Sequence, residues 1–387
     1  MTTNRYLQTV VSKDLRESQE PYHVYVDLSC TNNDFGLKEP VALVFRDTRD
    51  TSFIKDPSDY FVSIVRFKID TNELPAMIPE IMPNQPDINK CIYSFTLKYK
   101  THLFQQFVTF IPQDLRAKLP AAPDANGGMD LSTGYYYLSN YSYFVKLLNA
   151  CLDGAFTGLK ELVEAADDTL PTNYAPFLVY DTSTGEIIFN SDAAGYDIGL
   201  ENPINIYMNT SMGVLLNGFN LFLNSYTDPD GLNYMLIVQN DFNTNVLELE
   251  LYNSIQTYQE YNSCANWAAV SSIVLCSSSL PINGTMQTQP VKYNSSTSLN
   301  NNNGNLSMNI LSDFAVTSTG KNEYRPSVSY VASGNYRLLD LWGHTNINAL
   351  SFEVYFRDRF NNFHQLYLSS SCSANLKIMF RKKSLGI

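Results

Sequence analysis

Residues 349–383 at the C-terminal end restrict the fold more strongly than any other stretch. Along residues 352–357, Phe and Val alternate with Glu, Tyr and Arg, and a similar alternation returns along residues 376–381. A period of two is the pattern of a β-strand with one buried face. Turn-forming residues at 358–362 separate the two runs. The chain is therefore predicted to end in antiparallel β-structure.

The same alternation predicts which side chains point into the core. The predicted core residues are Phe352, Val354, Phe356, Leu376, Ile378 and Phe380. The residues between them, such as Tyr355 and Arg357, are predicted to face the other way. The run ends in a locally basic segment, Arg381, Lys382 and Lys383. These charges are interpreted as solubilising gatekeeper residues that flank an apolar strand. Contact with nucleic acid is the alternative interpretation.

Length and composition favour an all-β protein with more than one module. The chain has 387 residues, which predicts two β-modules or one domain with a large insertion. Charged residues make up only 17% of the chain and aromatic residues 13%, a usage typical of strands and ordered loops. The net charge of −12 argues against a protein that coats nucleic acid, because phosphate contacts need Lys and Arg.

Five segments are predicted, together forming an all-β protein with one short helical insertion. The fold is a jelly-roll β-sandwich, either one jelly roll with a large insertion or two tandem jelly rolls, because about eight short strands follow Trp267. The helix is predicted at residues 141–152, with Asn140 as N-cap and Gly154 just past the end. The segments are a flexible arm (1–20), the N-terminal part of the jelly roll (21–111), an insertion or second β domain (112–262), the C-terminal jelly-roll strands (263–383) and a tail (384–387).

Local patterns predict further strands and turns. Two hairpins are expected, one joining 91–100 to 104–111 and one joining 177–180 to 186–190. Another strand is expected at 246–252. Other segments are predicted as loops, namely the proline-rich residues 74–86, the Asn/Ser-rich residues 294–305, and residues 228–231, which contain too few calcium ligands for an EF-hand.

The residues that could act in catalysis or bind a metal form no known active-site or metal-site motif. The six cysteines show neither a zinc pattern nor a disulfide framework, and no nucleotide-binding or hydrolase motif is present. The prediction is therefore no catalytic residue, no cofactor and no metal. The acidic residues of 161–168 look like the solvated end of a helix, and Trp267 and Trp342 look like core anchors and not sugar-stacking platforms. No signal peptide or membrane span is expected, so the protein is predicted to be soluble and made in a reducing compartment.

Several segments carry a resemblance to a family of viral proteins. They are the helix SNYSYFVKLLN, the hairpin PFLVYDTSTGEI, and the C-terminal runs ILSDF, NYRLLDL, VYFRDRFNNFHQLYL and SANLKIMFRKK. Together they resemble minor capsid or penton-like proteins of virophages and of Polinton-like and adintovirus-type viruses. The resemblance implies a jelly-roll subunit of an icosahedral shell, made in the host cytoplasm or nucleus and located in the virion.

The resemblance also implies partners. A penton-like protein would form a homo-oligomer of five copies beside other capsid proteins, whereas a double jelly-roll capsomer would form trimers. No membrane is involved, and contact with the shell or nucleic acid is expected at most through Arg381, Lys382 and Lys383. Two other readings stay open. One is a receptor- or glycan-binding fibre head that uses exposed Tyr and Trp, and the other, the least supported, is an enzyme.

Overall fold

The computed structural model describes most of the chain. The described residues are 22–33, 40–69, 74–123, 129–227, 233–237, 239–240, 242–249, 251–283, 308–316, 327–332, 337–359 and 361–383. The expectations for the arm at 1–20, the loops at 228–231 and 294–305, and the tail at 384–387 lie outside this part of the chain.

Strands make up most of the regular structure that is described. The first six strands are β1 (His23–Thr31), β2 (Val41–Ala42), β3 (Val44–Thr48), β4 (Tyr60–Ile69), β5 (Lys90–Tyr99) and β6 (His102–Thr109). The middle of the chain contains α1 (Tyr141–Glu164), β7 (Phe177–Asp181), β8 (Glu186–Asp192), α2 (Ala193–Tyr196), β9 (Asn205–Met208), α3 (Thr210–Leu215), β10 (Leu221–Thr227), β11 (Asn233–Ile237), β12 (Thr244–Glu248) and β13 (Asn253–Tyr258). The last eight are β14 (Ser272–Ser277), β15 (Asn309–Ala315), β16 (Val328–Val331), β17 (Leu339–Asp340), β18 (Ala349–Arg357), β19 (Phe363–Gln365), β20 (Tyr367–Leu368) and β21 (Ser373–Lys382).

The two ends of the chain build one sandwich, called here the terminal sandwich (residues 23–69 and 272–382). One sheet has the order β1-β21-β4-β16, with β17 also on β4, and the other has the order β15-β14-β18-β19, with β3 on β18. All of these pairs are antiparallel, and His23 at the start of β1 lies opposite Arg381 at the end of β21. The sheets meet through Phe67, whose ring centroid lies 6.4 Å from that of Phe45 and 5.6 Å from that of Phe314.

The middle of the chain builds a second pair of sheets, called here the inserted sandwich (residues 90–258). Its sheets have the orders β10-β11-β9-β5-β6 and β12-β13-β8-β7. They pack face to face through Phe95 and Phe189, whose ring centroids lie 6.4 Å apart. Both predicted hairpins are present, β5 with β6 and β7 with β8. The chain thus has one sandwich inserted into another.

The strand pairing differs from the expected segment boundaries at two places. The β5–β6 hairpin was assigned to the N-terminal part of the jelly roll, but β5 pairs with β9, so the insertion begins near residue 90 and not at 112. The strands after Trp267 do not complete a jelly roll, because β1, β3 and β4 supply essential neighbours. Alternation shows that a hairpin has a buried face but does not identify the sheet that it joins.

The long helix begins as predicted but ends later. The Asn140 side chain accepts a hydrogen bond from the Tyr143 N–H at 2.8 Å, and α1 continues to Glu164 instead of stopping before Gly154. The helix packs on β6, and its glycines allow this close approach. A Cβ on Gly158 would lie 2.5 Å from the Phe104 ring, whereas a Cβ on Gly154 would lie 3.4 Å from Gln106. Gly154, the predicted stop signal, lies inside the helix, and Gly158 is the glycine that the close packing requires.

Alanine at these two glycines is expected to have opposite effects. Gly154→Ala should stabilise the protein by up to about 1 kcal/mol, because alanine favours the helix and meets only ordinary contacts. Gly158→Ala should destabilise it by about 1–2 kcal/mol, because the steric conflict with Phe104 exceeds that gain. Urea unfolding of both variants measures the difference. Adding Phe104→Leu should restore part of the loss in the Gly158 variant, and equal effects at both glycines would contradict this account.

The two sandwiches share one continuous core. Most of their buried apolar residues belong to a single cluster. The proline-rich segment lies between them and, as predicted, contains no strand over its described residues 74–86, although Met77 and Ile81 are buried. The Ala269 N–H donates to the Ala76 carbonyl at 3.2 Å, and Arg359 contacts Glu80 at 2.6 Å. This segment therefore connects the sandwiches rather than belonging to a sheet.

Candidate functional site

The basic segment at the end of β21 is held against its own chain. The Lys383 ammonium lies 2.5 Å from the Asp340 carboxylate and donates to the carbonyls of Ser58 and Leu341. Lys383 therefore stabilises the junction between β4, β17 and β21, and much of its charge is already offset.

The other two basic residues pack against aromatic rings. The Arg381 guanidinium lies 5.8 Å from the centroid of Tyr22, and the Lys382 ammonium lies 5.9 Å from that of Tyr60. Partial burial and then the charge of Arg381 lower the pKa of His23, the residue opposite it on β1. Both basic side chains remain partly exposed. Arg381 and Lys382 thus contact aromatic rings of their own chain while part of each side chain stays accessible to solvent.

The face of β18 and β21 predicted to be buried is buried, and part of the opposite face is covered too. All six predicted core residues are at most 1% exposed. Tyr355 and Met379 were predicted to face the other way, yet they are 0% and 2% exposed. Tyr355 belongs to a second small apolar cluster on that side, which includes Val274, Ile310 and Phe363. The alternating pattern alone did not predict that Tyr355 is buried, because a tyrosine side chain suits either a buried or an exposed position.

A polar turn between β18 and β19 forms as expected from residues 358–362. The Asp358 carboxylate accepts from the Asn362 N–H at 2.8 Å and lies 2.9 Å from the His364 Nε2. Burial raises the pKa of Asp358, but the hydrogen bonds from His364 and Asn362 outweigh it, so the net pKa is lowered. The charged form of Asp358 is therefore favoured by folding.

Asp358→Asn should destabilise the protein in a pH-dependent way. A carboxyl with a lowered pKa contributes stability above its ordinary value of 3.8 and loses it as the pH falls through the folded pKa. We expect the variant to lose about 1–2 kcal/mol at pH 7 and less at about pH 3. Urea unfolding at both pH values measures this. Asp50→Asn, at an exposed aspartate, is the control, and a pH-independent loss at Asp358 would contradict the argument.

The remaining residues singled out in the sequence are scattered. His344 is exposed and lies 2.9 Å from Asp56, whose side chain caps the short 3-10 helix Pro57–Asp59; the hydrogen bond and charge of Asp56 raise the pKa of His344. Trp267 is buried, as predicted, but Trp342 is 57% exposed, so its prediction as a core anchor was wrong. Four cysteines are buried and two partly buried, all as free thiols.

A surface groove of about 560 Å³ lies on the inserted sandwich. Three segments separated in the chain form it: the loop before β7, the junction of β8 and α2, and the turn between β12 and β13. The sequence patterns did not predict this groove. They predict one continuous strand at 246–252, whereas the structure has a turn between β12 and β13 within that range. β12 ends at Glu248 and β13 begins at Asn253, which places Leu251 and Tyr252 at the rim.

The groove combines two tyrosines with one buried carboxylate. The rings of Tyr174 and Tyr252 are stacked with centroids 4.6 Å apart. Asp192 is 5% exposed, accepts from the Thr172 hydroxyl, and accepts from the Ala194 N–H at 3.0 Å, capping α2. Burial and then the charge of Asp192 raise the pKa of Tyr252. Asp192 is the one acidic residue among the described residues that line this groove.

The described part of the chain forms neither a cluster of metal-binding side chains nor a long apolar helix. No three His, Cys, Asp or Glu side chains come together there in an arrangement that could hold a metal ion. Within the same residues, no helix has both the length and the apolar character needed to span a membrane.

Comparison with known proteins gives the family. The model of the Sputnik minor capsid protein V18/19 family matches residues 24–382. The chain belongs to this family. The match covers both sandwiches, so membership applies to the whole described structure. The predicted role as a structural capsid subunit is confirmed.

Two curated proteins of Sputnik virophage show the relationship within the family. The V18 protein is 34% identical over 161 residues, which are 40% of this chain and 94% of that protein. The structural protein V19 is 32% identical over 212 residues, which are 54% of this chain and 94% of that protein. Each relative is matched over nearly its whole length by only part of this chain.

Solved structures agree with the fold. A chain in the cryo-EM structure of Sputnik virophage superimposes with a TM-score of 0.73 and 31% identity, covering 95% of this chain and 99% of that one. The crystal structure of the mavirus penton protein superimposes with a TM-score of 0.57 at 15% identity, covering 93% and 99%, and shows similarity of fold. The jelly-roll class predicted from the sequence is confirmed.

Proposed function

We propose that this minor capsid protein is a vertex subunit of an icosahedral virion, in which five copies form a closed ring. The single observation that carries the proposal is the family match over residues 24–382 to a minor, not a major, capsid protein. The partners are further copies of this chain and other capsid proteins, and the chain is made in the host cytoplasm or nucleus. Its role is structural and not catalytic.

The architecture supports a ring more than a trimer. The terminal sandwich is closed by both chain ends, while the second sandwich emerges from the connection between β4 and β14. One sandwich can therefore pack in a shell while the other projects from it. Ring closure requires unlike surfaces to meet, and loops on two sides of a sandwich supply them.

Mass photometry of the purified full chain tests this proposal. Pentamers, with fivefold class averages in negative stain, are the expected result. Trimers that form pseudo-hexagons would instead support a double jelly-roll capsomer, and a protein that stays monomeric and does not enter particles with its capsid partners would overturn the proposal.

The same assay on a chain lacking residues 1–20 tests the predicted arm. The shortened monomer should fold normally but assemble less, and unchanged assembly would reject that role.

Charge reversal tests the basic segment. We expect Arg381→Glu with Lys382→Glu to leave the fold intact and to reduce assembly or genome content, because both side chains are partly exposed and carry positive charge. Lys383 is left unchanged, since its contact with Asp340 stabilises the fold itself. Particle yield and packaged nucleic acid are measured beside a control, Lys118→Glu, at an exposed lysine far along the chain from this segment. Normal particles with normal genome content would reject the contact.

A further inference from the structure

The groove on the inserted sandwich has the dimensions and lining of a small binding site. Its volume of about 560 Å³ lies within the usual range for ligand pockets, about 300–1,000 Å³. It is open to solvent, and its walls mix Tyr174 and Tyr252 with Asn173, Asn253 and the exposed Leu251. An open site with flat aromatic and polar walls suits a ligand that has both an apolar face and hydroxyl groups.

The polar side chains that line the groove are suited to binding the hydroxyl groups of a ligand. The Asp192 carboxylate can accept further hydrogen bonds beside those from Thr172 and Ala194, because each carboxylate has about four acceptor positions. The amides of Asn173 and Asn253 offer donors and acceptors at the rim. A sugar ring matches this arrangement, because its C–H face packs on an aromatic ring while its hydroxyls meet carboxylate and amide groups.

The charges favour a neutral ligand. Asp192 is the one acidic residue in the described part of the lining, and the Lys160 ammonium lies 3.4 Å from the Asn173 Oδ1 at the edge of the site. Lys160 is itself paired with Glu164 at 3.9 Å, so the charge around the groove is negative and disfavours anionic ligands. The whole chain carries a net charge of −12, which repels sialylated or sulfated ligands.

The segment of the groove that carries Tyr174 is held in place by contacts with the rest of the fold. The Tyr174 N–H donates to the Thr172 hydroxyl at 3.1 Å, and the Tyr174 carbonyl accepts from the Tyr196 hydroxyl at 3.4 Å. Thr172 in turn packs so closely on α2 that a Cβ on Gly195 would lie 2.3 Å from it. Side chains held in this way lose little further freedom when a ligand binds.

From these contacts we propose that the groove binds a neutral sugar residue of a glycan, with Tyr174 and Tyr252 as the stacking surface and Asp192 as the hydroxyl acceptor. The binding class differs from the assembly role proposed above and does not depend on it. It places a recognition site on the inserted sandwich.

Binding by the purified full-length protein tests the inference. A glycan array carrying neutral, sialylated and sulfated oligosaccharides is followed by saturation-transfer NMR with methyl glucoside, galactoside, mannoside and N-acetylglucosaminide at about 10 mM. We expect neutral glycans to bind. Tyr252→Ala and Tyr174→Ala should each weaken binding at least about tenfold, and Tyr252→Phe, which keeps the ring, should retain most of it.

Trp342→Ala is the matched control, because Trp342 is an exposed aromatic residue outside the groove. It should leave binding unchanged. Thermal unfolding identifies any tyrosine variant that has failed to fold. If an alanine variant does not fold, two milder variants test the inference. Tyr252→Phe should retain glycan binding, and Asn253→Asp should weaken it. The inference is overturned if no neutral glycan binds, if only anionic glycans bind, or if folded Tyr252→Ala binds as the native protein does.

Discussion

Trp267→Ala should lower the free energy of unfolding by about 3–5 kcal/mol, the cost of removing a large buried aromatic side chain. Trp267 ends the 3-10 helix Ser263–Trp267, and its ring centroid lies 5.4 Å from those of both Tyr141 and Phe144 of α1. Its indole N–H also donates to the Leu215 carbonyl at 2.8 Å, so the substitution leaves that carbonyl without its donor. Urea unfolding followed by circular dichroism measures the loss.

The chain contains its own control for this experiment. Trp342 is the second of its two tryptophans and is 57% exposed, so Trp342→Ala should change stability by less than about 0.5 kcal/mol. The fluorescence of the Trp342 variant should show a buried indole, and that of the Trp267 variant an exposed one. Similar losses in both variants would contradict the assigned burial.

Phe67→Ala should cost a similar amount, about 3–5 kcal/mol, but in the terminal sandwich. Phe67 is 0% exposed and packs between Phe45 and Phe314 of the opposite sheet. Its removal opens a cavity at the point where the two sheets meet. Hydrogen exchange should then increase first in β4 and β21, which are directly paired.

Two comparisons make the Phe67 result specific. Phe222→Ala, at a residue 61% exposed on β10, should have little effect. Phe67→Leu keeps most of the volume and should lose about 1 kcal/mol, so an effect remains measurable if the alanine variant fails to fold. If Phe67→Ala were no more harmful than Phe222→Ala, the sheets would not be packed through this residue.

The strands and their buried faces could largely be predicted from local pattern. The hairpins β5–β6 and β7–β8 and the six core residues of β18 and β21 follow from alternation over a few residues. The start of α1 follows from its Asn140 cap. Its end does not, because the helix continues past Gly154, the predicted stop, to Glu164 while packed on β6, a contact that local pattern does not show. The groove escaped prediction for the same reason, since its three segments meet only after folding.

A period of two specifies backbone conformation and a buried side within a single segment, and the run at 349–383 established these features without any partner. Which strands pair depends on side chains distant in the chain that pack together in three dimensions. Tertiary structure therefore decided that β1 lies beside β21, that β5 and β6 join the inserted sandwich, and that Tyr355 is covered. It also decided that Lys383 is engaged by Asp340, because the residues are 43 positions apart and meet only when β17 and β21 both pair with β4.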